Sequence, residues 1–413
     1  MSAFTLAFLF AVATTFCLRQ YLAWRHIRHV AAHRAAVPAA FSDGIDLAAH
    51  QKAADYTVAR TRLGMLDTCI DCAALLAFTL AGGIEALHQF WFAHLGSGIA
   101  QGIALILSLS FVSGLISLPL SLYTTFVLEA KFGFNRTSFA TFIADMIKQL
   151  LLGLVLGVPL IYAVLWLMSK MGANWWLYVW LTWIGFNLFV LAVYPTWIAP
   201  LFNKFSPMQD DAMKARIEAL LVKCGFQSSG LFVMDGSKRS AHGNAYFTGF
   251  GKTKRIVFFD TLLTQLLPGE VEAVLAHELG HFKHRHVLKR IVWSFAASLL
   301  FLFVLGQAMQ QPWFYQGLGV SSQSTALALI LFFLTAPVFL FPLTPLTSLY
   351  SRKHEFEADR YAASQSSAND LVNALVKLYR DNASTLTPDP LHSAFYDSHP
   401  PASIRIAQLR AAG

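Results

Sequence analysis

The sequence predicts a mainly α-helical membrane protein with about seven transmembrane helices and one polar segment that carries a small β-sheet. Two observations lead to this fold class. Hydrophobic residues make up 56% of the 413-residue chain and charged residues only 13%, a composition that excludes an ordinary soluble enzyme. Apolar runs long enough to cross a bilayer recur along the chain, and residues 203–290 interrupt them with the composition of a soluble domain.

The first apolar run, residues 2–22, sets the orientation of the chain. No basic residue precedes it, and Arg25, Arg28 and Arg34 follow it. It therefore predicts a retained span whose N-terminus lies outside, rather than a cleaved signal peptide. Four further spans complete an N-terminal membrane region over residues 1–202, and we expect them at residues 66–92, 99–127, 150–168 and 175–198.

A second membrane region, residues 291–350, has the pattern of a hairpin that contains spans six and seven. Seven spans from an outside N-terminus place the polar segment, 203–290, and the tail, 351–413, together on the cytoplasmic side. Lysine and arginine, which give the chain a formal net charge of +8, lie mostly between the apolar runs. We therefore expect membrane lipids, and not nucleic acid, to be the partners of this charge.

The polar segment mixes helix and strand patterns. An amphipathic helix is predicted at residues 213–224 and short buried strands at 231–234 and 255–260. An extended stretch, residues 241–250, lies between the two strands. A second helix is predicted over residues 271–286.

This second helix contains the sequence His277-Glu278-Leu279-Gly280-His281. Positions four apart return to one helix face, so the two histidines can bind one Zn²⁺. Glu278 lies beside them, where a carboxylate can take a proton from a water molecule whose pKa the metal lowers. The motif predicts a hydrolase with one catalytic zinc ion per chain. The alternative is a structural zinc site, which four protein ligands would close.

A zinc ion held by two histidines needs a third protein ligand, and the tail offers residues 354–359, HEFEAD. On a helix, Glu355 and Asp359 share a face while Glu357 points away from it. We expect Glu355 to be the third ligand. Asp359 is then placed to hydrogen-bond a ligating histidine.

Alternatives to this zinc site remain open. His354 is a rival ligand beside Glu355, and His284 and His286 are rivals just after the zinc motif, although we expect these two in a basic turn at the cytoplasmic mouth. A transporter or channel with a structural zinc ion is the rival from a different class of protein. The four cysteines are too few and too scattered for a disulfide framework.

Five groups of residues, in order along nearly the whole chain, resemble the type I CAAX prenyl protease family. Members of that family are integral-membrane zinc endopeptidases that remove the last three residues of prenylated proteins. The groups are Gln51-Lys52-Ala53-Ala54-Asp55-Tyr56 with Ala59-Arg60, Asn244-Ala245-Tyr246-Phe247, the zinc motif with His286, Ser351-Arg352 with Glu355-Phe356-x-Ala358-Asp359, and Ser398-His399-Pro400-Pro401 with Arg405.

The resemblance implies a ring of seven tilted spans around a large water-filled chamber, with a cytoplasmic zinc metalloprotease cap that residues 351–413 complete. It implies that Glu278 is the general base and later the proton donor. The zinc ligands that it implies are His277, His281 and Glu355.

Other roles also follow from the resemblance. Asp359 would orient a zinc-ligating histidine, and His399 would steady the oxyanion of the tetrahedral intermediate. Arg405 would help to shape the site or meet the substrate's carboxylate. An edge strand would bind the extended peptide through its main chain, and it would contain Asn244, Ala245 and Tyr246.

The implied function is cleavage near the C-terminus of a peptide or lipid-modified protein substrate. A heat-shock type of membrane quality-control protease is the rival within enzymes, although it has fewer spans. Two features depart from the family pattern: His354 stands where an apolar or aromatic residue is usual, and residues 283–285 are unusually basic. The alanine-rich, short-looped style indicates a bacterial inner-membrane protein, and the sequence makes no prediction of oligomeric state.

Overall fold

The structure, a computed structural model, describes residues 1–248 and 253–412. It is mainly helical, as predicted. In chain order the α-helices of the described residues are α1 (Ala3–Ala32), α2 (Leu47–Phe78), α3 (Gly83–Leu95), α4 (Ile99–Tyr123), α5 (Phe139–Lys170), α6 (Trp175–Val193), α7 (Ala199–Phe202), α8 (Asp211–Cys224), α9 (Asp260–Gln265), α10 (Pro268–Lys283), α11 (His286–Ala308), α12 (Pro312–Gly317), α13 (Thr325–Leu340), α14 (Thr344–Gln365), α15 (Ala368–Asp381), α16 (Pro390–Tyr396) and α17 (Ala402–Ala412).

Membrane-spanning segments account for most of the helical residues. Within the described residues, six helical segments are long and apolar enough to cross a bilayer: Ala3–Ala32, Ile99–Glu129, Phe139–Lys170, Gly172–Phe202, His286–Ala308 and Thr325–Gln365. The pair α2 and α3, bent by 50°, forms a seventh span when it is counted as one. The prediction of about seven spans is therefore confirmed.

The helices are longer than the hydrophobic runs that predict them. The second span was expected to start near residue 66, yet α2 begins at Leu47 and includes part of the polar connector that precedes the span. Asp46 caps this helix, because its Oδ1 accepts a hydrogen bond of 2.7 Å from the Ala49 amide. Hydropathy measures only the part of a helix inside the bilayer and does not detect a continuation into water.

A cavity of about 310 Å³ lies between α1, α2, α4 and α13. Its wall is largely apolar but includes Arg19, Asp67 and Asp71. Three of the spans, Ile99–Glu129, Phe139–Lys170 and Gly172–Phe202, bury only 6% of their most apolar part, whereas Thr325–Gln365 buries 39%. Helices that face lipid on one side and an open interior on the other show such low burial, which agrees with the predicted chamber.

The polar segment folds around a four-stranded sheet with the order β1-β2-β4-β3. The strands are β1 (Phe205–Pro207), β2 (Gln227–Met234), β3 (Ala245–Thr248) and β4 (Thr253–Phe259). Strands β2 and β4 are parallel, and the others pair antiparallel to them. The two predicted strands lie within β2 and the region of β4, and β3 lies in the predicted extended stretch, whose residues 249 and 250 are outside the described ones. Strand β1 was missed because three residues ending in proline carry no strand pattern.

The hydrophobic core of the polar segment holds α10 against the sheet and against α8, α15 and α17. The start of α10 is fixed by Pro268 in its first turn and by Glu270, whose Oε2 accepts a 2.7 Å hydrogen bond from the Leu267 amide. The same oxygen lies 2.8 Å from Lys377 Nζ on α15. The helix that carries the zinc motif is thus anchored to the C-terminal segment at its first turn.

Candidate active site

Helix α10 crosses α14 at Gly280, in the middle of the zinc motif. A Cβ atom at this glycine would lie 2.9 Å from the Cα of Ala358 and 3.1 Å from its carbonyl oxygen. The two backbones can therefore approach this closely only because residue 280 has no side chain. Glu355 precedes Ala358 by about one helical turn on α14, so this approach carries its carboxylate to the two histidines of the motif.

His277, His281 and Glu355 form one compact group of donor atoms. The Nε2 atoms of the histidines are 3.3 Å apart, and Glu355 Oε2 and Oε1 lie 3.4 Å from His277 Nε2 and 3.3 Å from His281 Nε2. Two ligands about 2.1 Å from a tetrahedral ion would be separated by about 3.4 Å. The two imidazoles and the carboxylate therefore lie close enough together to bind one metal ion.

A buried oxygen without a hydrogen bond marks the same point. In the part of the chain that the structure describes, Glu355 Oε2 is buried and accepts no hydrogen bond; His277 Nε2 lies 3.4 Å from it and Arg405 Nη1 lies 3.7 Å from it. Leaving a buried carboxylate oxygen unpaired is costly. A cation bound at the group would remove that cost, so the residues present fit a metal ion.

His277 is oriented from its other side by Asp359. The Nδ1 atom lies 2.8 Å from Asp359 Oδ1, the position in which the resemblance placed this carboxylate. Burial alone would lower the pKa of His277, but the hydrogen bond to Asp359 and the nearby carboxylate of Glu355 outweigh it and raise the metal-free pKa to about 9. A metal ion binding at Nε2 must therefore displace a proton.

Arg405 occupies the buried floor of the site. Its guanidinium, 8% exposed, holds Asp359 through Nε at 2.8 Å and Nη2 at 2.6 Å. Of the two expected roles, the geometry agrees with shaping the site. Direct contact with a substrate carboxylate is disfavoured, because the guanidinium is already paired with Asp359 and is buried from solvent.

Two further predicted residues, Glu278 and His399, have solvent-accessible side chains. Glu278 is half-buried, and its side chain makes no hydrogen bond or ion pair with the described residues. The His399 side chain is 61% exposed, with Nε2 3.5 Å from Glu355 Oε1 and Nδ1 3.0 Å from Ser398 Oγ. Both groups are therefore accessible to a peptide that approaches the metal-binding atoms.

Strand β3 forms an edge of the described sheet, as the edge-strand prediction requires. It pairs with β4 on one side, with Tyr246 opposite Val257. Asn244 immediately precedes the strand; its carbonyl accepts a 3.0 Å hydrogen bond from the Phe259 amide, and its side-chain Oδ1 accepts one of 2.8 Å from the Ala245 amide. A peptide could add to the other side of this strand.

The predicted helix over residues 271–286 is wrong at its end. Helix α10 ends at Lys283, and Arg285 takes a left-handed conformation with φ of 56°. His286 then starts α11 and is 4% exposed, so it does not lie in an open basic turn. His284 is the residue that follows the last turn of α10.

The rival ligands lie outside the group formed by His277, His281 and Glu355. His286 and His354 instead gather with Glu357 in a second cluster of donor atoms. Glu357 does point away from the first group, as its position on the helix indicated, but sequence reasoning gave it no role. Its only signal was its spacing, since it falls in the same short helix turn as Glu355 and Asp359.

Membrane spans that lead into a buried His-His-Glu group with a free glutamate beside it define a membrane-embedded metallopeptidase. Residues 26–204 match the model of the CAAX prenyl protease N-terminal region, described as five membrane helices, and residues 207–412 match that of peptidase family M48. The chain belongs to peptidase family M48, in its CAAX prenyl protease branch, and is an integral, multi-pass membrane metalloendopeptidase.

Named relatives agree with this assignment. CAAX prenyl protease 1 of Saccharomyces cerevisiae is 32% identical, over 95% of this chain and 92% of its own length. A homolog of that enzyme from Arabidopsis thaliana is 40% identical over 73% of each chain. The crystal structure of S. mikatae Ste24p superposes with a TM-score of 0.92 at 31% identity and covers 99% of both chains. The expectation of a bacterial source is not borne out, since these relatives come from fungi and a plant.

Proposed function

We propose that this protein is a zinc-dependent endopeptidase that removes the last three residues from prenylated proteins ending in Cys-a-a-X. The observation that carries the proposal is the buried group of His277, His281 and Glu355, whose donor atoms are spaced for one zinc ion. The named relatives supply the substrate class, because they are CAAX prenyl proteases.

His277, His281 and Glu355 would hold the ion in this proposal. A zinc ion bound there polarises a carbonyl and makes water more acidic. The free carboxylate of Glu278 is the group that takes the proton of the attacking water and later gives it to the departing amine. Asp359 keeps His277 in the tautomer that leaves its Nε2 free to bind metal.

His399 is the proposed donor to the oxyanion. Its Nε2 lies on the exposed side of Glu355, and Ser398 Oγ lies beside its Nδ1. A hydrogen bond to the charge that develops on the carbonyl oxygen stabilises the transition state more than the substrate. Its exposure fits a group that meets the substrate.

The main chain of β3 would bind the substrate. Along an edge strand, the main-chain groups of successive residues point alternately to the paired strand and to the open edge. The hydrogen bond from the Phe259 amide to the Asn244 carbonyl fixes this alternation. The amide and carbonyl of Tyr246 therefore point to β4, and those of Ala245 and Phe247 point to the open edge. An extended peptide can pair with those groups. The Asn244 side chain would exchange the Ala245 amide for the peptide.

We further propose that the site lies on the cytoplasmic side. Arg25 at the basic end of α1 pairs with Asp389 of the C-terminal segment, Nε to Oδ2 at 2.8 Å. The basic end of the first span and the C-terminal segment of the site therefore lie at the same membrane face. Basic residues favour the cytoplasmic face.

Cleavage of a farnesylated Cys-a-a-X peptide by the detergent-purified protein tests the proposal. We expect mass spectrometry to show a single cut after the cysteine, little cleavage of the matched peptide without the farnesyl group, loss of activity in chelator and recovery with zinc. A protein that carries zinc but cuts unfolded membrane proteins equally well, without preference for the farnesyl group, would instead be a quality-control protease.

A further inference from the structure

We propose that His286 is a positioning residue for the metal ligand His281, as the middle of a hydrogen-bonded chain that begins at Glu357. The inference rests on the metal site proposed above, because it assigns to that site a support that neither the motif nor the comparisons assign. It concerns the orientation and tautomer of His281, and not contact with the substrate.

The chain of contacts starts on the side of His281 that faces away from the metal-binding atoms. His281 Nδ1 lies 3.0 Å from His286 Nδ1. His286 Nε2 in turn lies 2.9 Å from Glu357 Oε2. The left-handed turn at Arg285 makes this possible, because it ends α10 and starts α11 so that His286 returns against the helix it has just left.

Metal binding determines where every proton in this chain lies. His281 Nε2 must be unprotonated to bind metal, so the single proton of the neutral ring is on Nδ1 and is donated to His286. His286 Nδ1 must then accept, which leaves the His286 proton on Nε2. That proton is donated to the Glu357 carboxylate. Each contact in the chain therefore pairs one donor with one acceptor.

The two ligating histidines are thus supported in different ways. His277 donates directly to the carboxylate of Asp359, which Arg405 pairs with and holds in place. His281 reaches its carboxylate, Glu357, through one further imidazole. Glu357 is 21% exposed, whereas Asp359 is buried, so the second support ends nearer to solvent.

His354 holds the ring of His286 in the plane that the chain requires. The two rings stack with centroids 3.9 Å apart and an angle of 8° between their planes. The Tyr350 ring packs edge-on against the His354 ring, with the two ring centroids 4.3 Å apart. Stacking on His286 requires only a flat ring, so another aromatic residue at position 354 could make the same contact.

A second metal ion held by His286, His354 and Glu357 is the competing interpretation, since their donor atoms also cluster. Both ring nitrogens of His286 are already engaged, however, one by a ligand of the first site and the other by Glu357. A second ion would have to break one of those contacts. The hydrogen-bonded chain uses both nitrogens without conflict.

The test is the zinc affinity of the detergent-purified, full-length protein, measured by competition with a chromophoric chelator. We expect His286→Phe to bind zinc about 10- to 100-fold more weakly than wild type. His286→Gln should recover most of the affinity, because an amide can accept from His281 and donate to Glu357. A merely structural role for the ring predicts the opposite order, with phenylalanine the better replacement.

The matched control is His354→Phe, which keeps the stacked ring but removes a donor atom from the competing site. It should bind one zinc ion with wild-type affinity. Wild-type affinity in His286→Phe would overturn the inference, and so would two zinc ions in wild type that fall to one in His354→Phe. If His286→Phe does not fold, Glu357→Ala replaces it, with weaker zinc binding expected and unchanged binding contradicting the inference. A wild-type protein that binds no zinc would overturn the proposed function as well.

Discussion

Glu278→Gln is expected to lower the rate of peptide cleavage by about 10²- to 10⁴-fold while the protein keeps its fold and its zinc. Glutamine has the shape of glutamate but cannot take a proton from water. Glu278 is not one of the three clustered donors, so its loss should leave metal affinity unchanged. Initial rates on a farnesylated peptide, with zinc measured in the same preparation, give both quantities.

Glu272→Gln is the matched control for this variant. Glu272 lies on the same helix, partly exposed, and pairs with Arg216 at 2.8 Å. An exposed ion pair of this kind contributes little to stability, and we expect near wild-type cleavage. Loss of zinc from Glu278→Gln would contradict its role as a base that does not bind metal, and full activity would exclude it from the proton transfers.

Arg405→Met is expected to reduce the free energy of unfolding by about 3–5 kcal/mol. The substitution removes the guanidinium from Asp359, which is 2% exposed and keeps only His277 as a partner. Methionine retains an unbranched, apolar stem, so little of the loss comes from an empty volume. Thermal unfolding in detergent should show a clearly lower midpoint.

Arg410→Met on the same helix, α17, is the comparison, because Arg410 is exposed. It should unfold at the wild-type temperature. Removing the carboxylate as well, in Asp359→Asn with Arg405→Met, should recover part of the stability, since no uncompensated charge then remains. An Arg405→Met protein as stable as the Arg410→Met control would show that the pair does not hold the site together.

The membrane helices and the pairing of His277 with His281 were predictable because their signals are local or periodic. The hydrophobic runs indicate spans wherever a bilayer must be crossed, and the spacing of His277 and His281 is a property of one helix. Glu355 is about 75 residues away along the chain. It was predicted from the residue types in its helix and from the expectation that both segments lie on one side of the membrane.

The supports of the site were harder to predict because they depend on contacts between distant elements. Nothing in the sequence around Arg405 shows that it faces Asp359 rather than a substrate. A basic turn was expected after the zinc motif, and residues 284 and 285 form one. The left-handed conformation of Arg285 was missed, since arginine is not a residue that signals it. Without that turn, His286 would continue α10 and could not return to His281.

Zinc K-edge X-ray absorption on the purified protein tests the metal site most directly. We expect one zinc ion per chain, two imidazoles by multiple scattering, and nitrogen and oxygen neighbours at about 2.0–2.1 Å. Sulfur at about 2.3 Å, or four protein ligands including three or more imidazoles, would contradict a catalytic site formed by His277, His281 and Glu355 and would favour a structural zinc ion.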